Sequence, residues 1–147
     1  KILNNDKVKI SSLPEITLPD INKKSISLSS LKGKYILLNF WATWMKDFET
    51  YMLDLKEIYN RYKNKNFEIF SVAFDNEPEK WKRFISYNNL DWINVIDTTY
   101  PYSSIPVIYN IQNLPTNFLI DKDFETILYK NLTPVDLNNI LKNLTKK

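Results

Sequence analysis

A chain of 147 residues, 44% hydrophobic and 14% aromatic, carries enough apolar surface for one packed domain, which argues against wholesale disorder. Its formal charge of +3, with lysines interspersed among acids, leaves no nucleic-acid footprint. It has no cysteine and no histidine, which excludes thiolate nucleophiles, imidazole bases and zinc sites built on nitrogen or sulfur ligands.

Residues 1–12 read as a loosely ordered, largely polar N-terminal segment and residues 13–147 as a single domain. The first residue is Lys1 rather than Met, so an upstream segment with targeting information is expected to be missing. Pro14 to Leu18 and Ser25 to Leu28 alternate around Pro19-Asp20-Ile21-Asn22 and predict a β-hairpin. Leu31-Lys32-Gly33-Lys34 is a tight connection into Tyr35 to Trp41, an apolar run suited to a strand buried on both faces.

From Asp47 to about Lys63, the three- and four-residue spacing of Phe48, Tyr51, Met52, Leu55, Ile58, Tyr59 and Tyr62 predicts a helix. Phe67 to Phe74 reads as a second buried strand. Asn76-Glu77-Pro78-Glu79 supplies an N-cap residue and an early proline for a helix that turns Trp81, Phe84 and Ile85 inward. Trp92 to Ile96 is a short strand or extended piece, and Tyr100-Pro101-Tyr102 reads as a loop. Pro115 to Asp121 and Glu125 to Lys130 form a hairpin, and Thr133 caps a last helix carrying Leu137, Ile140, Leu141 and Leu144. With a single glycine, turns must use Asn, Asp and Pro. The order predicts an α/β fold with a mixed central sheet, an N-terminal β-hairpin and a helix inserted before the last half of the sheet. No apolar run approaches the roughly 20 residues of a membrane span, so no membrane insertion of this domain is expected.

Three segments carry a resemblance. Leu18-Pro19-Asp20 with Ser27 to Lys34, then Leu38 to Trp44, then Leu114-Pro115-Thr116-Asn117-Phe118-Leu119-Ile120-Asp121 resemble, in order and spacing, the thioredoxin superfamily. More narrowly, they resemble its TlpA/ResA-type thiol-disulfide oxidoreductases, relatives of the peroxiredoxins of the AhpC/TSA group. The resemblance implies a thioredoxin-like fold, a cis bond before Pro115 and an extracytoplasmic location, periplasmic or membrane-tethered.

The departures fall at the chemistry. Met45 and Phe48 stand where the resemblance puts the two cysteines, Lys46-Asp47 replace the pair between them, and Tyr51 replaces a buried Glu. Leu53 takes the place of a helix proline, and Phe124 that of a turn glycine. Met45, Lys46, Asp47, Phe48 and Tyr51 therefore form a vestigial site, with Asp47 expected to favour the helix start through capping and the dipole. If the family's geometry persists, Trp41, Trp44, Met45, Phe48, Leu114 and Pro115 form an apolar patch able to hold an extended peptide. Packing of the same side chains under a neighbouring loop or domain is the competing reading. The expected function is a redox-inactive, non-enzymatic protein- or peptide-interaction module, with no cofactor and no metal. Its alternatives are a thiol-redox domain whose cysteines come from a partner or a missing segment, and a structural spacer in a longer tethered protein.

Overall fold

A computed structural model of the chain describes residues 8–9 and 13–146. Most of the expected loose N-terminal segment lies outside these residues. The exception is Val8–Lys9 (β1), which pairs antiparallel with Ile127 and Thr126 of Thr126–Lys130 (β8). The entry hairpin is Thr17–Pro19 (β2) against Ser25–Ser27 (β3), closed by Asp20, whose carboxylate accepts from the backbone N–H of Asn22 at 2.8 Å and of Lys24 at 3.0 Å. A 3-10 turn, Leu28–Leu31, replaces the last residue expected in the second hairpin strand.

The apolar run becomes Tyr35–Trp41 (β4), with only Tyr35 short of full burial. Phe48–Tyr62 (α1) follows and leads to Phe67–Phe74 (β5), parallel to β4. Pro78–Tyr87 (α2) then returns the chain to Ile93–Asp97 (β6), parallel to β5. The two successive crossovers place α1 and α2 on one face of the sheet. Ile105–Ile108 (α3) is a single turn absent from the sequence reading, because four residues give periodicity nothing to act on. Thr116–Ile120 (β7) runs antiparallel to β4 and pairs with β8, and Pro134–Leu144 (α4) ends the fold. Its start is capped as expected: Thr133 Oγ1 accepts from Asp136 N–H at 3.1 Å.

The strand order is β1-β8-β7-β4-β5-β6, with β2-β3 as a separate pair. Alternate residues feed opposite faces. Leu37, Trp41, Ile69 and Leu119 join α1, α2 and α4 in one core, while Ile36, Leu38, Phe40, Phe70 and Phe74 meet the hairpin, the 3-10 turn and Tyr109 in the other. The C-terminal ends of β4, β5 and β6 gather residues 42–47, 75–77 and 98–104 beside the start of β7. That end of the sheet carries the candidate site.

Candidate functional site

β4 ends at Trp41, and residues 42–45 form a turn in which Met45 N–H reaches the Ala42 carbonyl at 3.3 Å. The helix begins only at Phe48, after Asp47 in the left-handed conformation (φ 58°). Asp47 is exposed, and no cap hydrogen bond comes from its side chain, so the expected side-chain capping is not formed. Helix α1 instead starts on the Asp47 carbonyl, which accepts from Tyr51 N–H at 3.3 Å.

Asp75 holds the turn, a role absent from the sequence reading. Its buried carboxylate accepts from Thr43 N–H at 2.8 Å and from the Thr43 hydroxyl, and its other oxygen takes Glu77 N–H at 3.1 Å. The acceptor ahead of α2 is thus Asp75, while Glu77 is the N-cap residue in place of Asn76. The signal was an acid ending an apolar strand, a position that demands a partner once buried.

The six residues of the expected patch separate by exposure. Trp41 is fully buried and Met45 is 8% exposed, both within the first core. Phe48 is half-buried, its ring 6.0 Å from that of Trp41 and 5.0 Å from that of Phe84. Leu114 is half-buried against both cores, and Pro115 is exposed beyond a cis Leu114–Pro115 bond. Trp44 stands well out, at 56%. The expectation of Trp41 and Met45 on a surface is therefore corrected. A delayed helix start and an inward turn place the thioether in apolar surroundings, where burial of such a side chain is worth about 1.5–3 kcal/mol. Lys46 remains exposed.

Trp44 is fixed despite its exposure. Its indole N–H donates to the Phe74 carbonyl at 2.9 Å, and its ring stacks at 6.1 Å on Tyr100, which stacks at 4.6 Å on Phe74. The column ends inside the second core with Phe40, 5.3 Å from Phe74. By contrast, the indole N–H groups of Trp41, Trp81 and Trp92 are buried without a partner among the described residues. Tyr100, in a segment whose sequence predicts a loop, is the middle member of this aromatic column. The 55 positions between it and Trp44 hid the stack.

Beneath the turn lies a polar network. The Tyr51 hydroxyl donates to Asn39 Oδ1 at 2.6 Å and accepts from Asn117 Nδ2 at 3.1 Å. Asn39 Nδ2 reaches Ser71 Oγ at 3.1 Å, and Asn117 Nδ2 also reaches the Leu132 carbonyl at 2.9 Å. Burial pushes the Tyr51 phenol up, against a smaller downward pull from the Asn117 hydrogen bond, so it stays neutral at ordinary pH. Tyr51 thus bridges β4 and β7 as a neutral donor and acceptor. Among the described residues no cluster of three carboxylates suits a metal ion, and no helix is long and apolar enough to cross a membrane.

Comparison with known proteins gives a consistent picture. The model of the AhpC/TSA family matches residues 11–129. The chain is 35% identical over 134 residues to thiol-disulfide oxidoreductase ResA of Bacillus thuringiensis, covering 90% of this chain and 76% of that protein. Among solved structures, the thioredoxin domain of a thiol-disulfide oxidoreductase from Bacteroides vulgatus superposes with a TM-score of 0.84 at 29% identity, covering 95% of this chain and 99% of that one. A thiol:disulfide interchange protein from Bacteroides sp. gives 0.83 at 30% identity, with 94% and 90% covered.

Proposed function

The chain belongs to the AhpC/TSA family, and from that premise we propose that it is a ResA-type thioredoxin-like domain that has lost disulfide exchange and binds proteins or extended peptides. One observation supports this reading above the rest. Met45 and Phe48, where the family resemblance puts the two cysteines, are drawn into the first core, while the adjoining Trp44 is held outward on Tyr100. Disulfide exchange needs a thiolate to attack and a second thiol to resolve. A thioether cannot ionise, and a phenyl ring cannot attack. What remains at this end is a fixed aromatic face flanked by the exposed Pro115, with Leu114 and Phe48 partly open beside it. Rigid aromatic rings give a large contact area at little entropic cost. We place the working domain outside the cytoplasm, on its resemblance to tethered and periplasmic oxidoreductases.

Two measurements test the reading. In an insulin-reduction assay with dithiothreitol, turbidity is expected to develop at the rate of the protein-free blank; acceleration would overturn redox inactivity. On an array of extended peptides the protein should retain a subset, and Trp44→Ser should weaken that retention at least tenfold with little change in melting temperature. Met45→Asp is a poor probe, since it buries a charge in the core. The burial of Trp41 and Met45 favours a spacer as the second reading, and a wild-type protein that retains no peptide would leave the spacer standing.

A further inference from the structure

At the end of the sheet opposite Trp44, the starts of β4 and β5, the C-terminal ends of α1 and α4 and the β7–β8 turn come together. Two adjoining hollows lie there, of about 470 Å³ and 380 Å³. Lys65, Thr145 and Lys146 line both, Lys122 and Asn66 line the larger, and Lys142 lines the smaller. Among the described residues, neither has a carboxylate in its lining. We infer that these paired hollows are a binding site for a small soluble polyanion bearing phosphate or sulfate groups, which the four ammonium groups would hold.

The frame of the larger hollow is knitted across distant segments. Gly33 N–H donates to the Lys122 carbonyl at 3.2 Å, Asn66 Nδ2 to the Gly33 carbonyl at 2.9 Å, and Tyr35 N–H to the Asn66 carbonyl at 2.9 Å. The Lys122 ammonium sits 5.2 Å from the centre of the Tyr35 ring, which restrains it at the rim. Lysines near helix C-termini have an ordinary role in answering the helix dipole. Two helix ends bring together roughly one negative charge, so they answer only part of what Lys65, Lys122, Lys142 and Lys146 supply. A charge surplus in a concave lining suits a compact anion that enters it; a flat bilayer would engage only the rim.

Isothermal titration with sodium triphosphate at low salt tests the site. Binding is expected at one ion per chain, weakening as salt rises, with amide shifts confined to residues 64–66, 122 and 142–146. Lys65→Glu/Lys146→Glu should weaken it at least tenfold. Lys24→Glu/Arg83→Glu, which alters net charge equally elsewhere, should bind like the wild type. Absence of triphosphate binding, shifts elsewhere in the wild-type protein, or equal weakening in both double variants would overturn the proposal. So would binding to vesicles of anionic phospholipid without triphosphate binding, which would assign the lysines to a membrane surface.

Discussion

Asp75 shows how one side chain decides the geometry of the candidate site. Three donors converge on its buried carboxylate, two from Thr43 and one from Glu77, so removing it strands the N–H and hydroxyl of the buried Thr43. Asp75→Ala should lower unfolding free energy by about 2–3 kcal/mol in urea titrations, and Asp75→Asn, which keeps an acceptor, by less. The tyrosines set the alkaline limit. Burial raises the phenols of Tyr51, Tyr59 and Tyr109 above the ordinary range, with Glu68 and Asp91 adding to the effect at Tyr59 and Glu15 at Tyr109. The unfolded chain therefore gives up these protons first. The stability tied to them is whole below about pH 10 and falls as pH rises from there towards the folded values. Urea midpoints between pH 9 and pH 11 should record that fall, and Tyr51→Phe should flatten it while lowering stability at neutral pH by about 1–3 kcal/mol. The residue types at positions 45 and 48 were legible from the sequence. Their burial was not, because turn direction depends on Asp75, some thirty positions away.

Among the elements, those with a strong period were legible almost to the residue. Tyr35–Trp41 and Phe67–Phe74 stand as read, and α1 differs from its expected span by one residue at each end. Short pieces escaped: a two-residue edge strand and a one-turn helix lie below the length at which pattern speaks. The poverty in glycine, by contrast, predicted the turns. Asn66, Asn89, Asn110 and Asn131 all adopt positive φ. After α2, Asn89 N–H bonds the Ser86 carbonyl at 3.3 Å and Leu90 N–H the Ile85 carbonyl at 3.1 Å, a Schellman closure with asparagine in the left-handed position. Asn110 does the same after α3. Asn89→Gly should leave stability level or raise it by a few tenths of a kcal/mol, whereas Asn89→Val should cost about 1–2 kcal/mol. A chemical-denaturation series on the two variants decides this. Phe124, at φ 61°, is the costlier replacement for glycine, retained where its ring packs half-buried on the second core.

The whole molecule is a sheet with two differently covered faces and two ends of opposite character. The stacked Trp44 and Tyr100 mark one end, and Lys65, Lys122, Lys142 and Lys146 the other. The family resemblance conveyed the layering, but the frame of the larger hollow at the lysine end depends on bonds between residues 33, 35, 66 and 122 that no local pattern announces. The bridge between Asp20 and Val95 has a consequence in time. It lays the entry hairpin along β6, the outermost strand on that side, yet its partners lie 75 positions apart. Contacts so distant in sequence close late, since the loop entropy must be met before they form. During refolding β6 therefore passes through an interval with a bare margin, open to a neighbouring chain. Asp20→Ala, which loosens the hairpin turn, should scatter more light on refolding at high protein concentration than Thr133→Ala, which loosens α4 instead. Equal scattering would mean that the clasp guards nothing. On this view the entry hairpin acts during folding as a late-arriving guard against self-association.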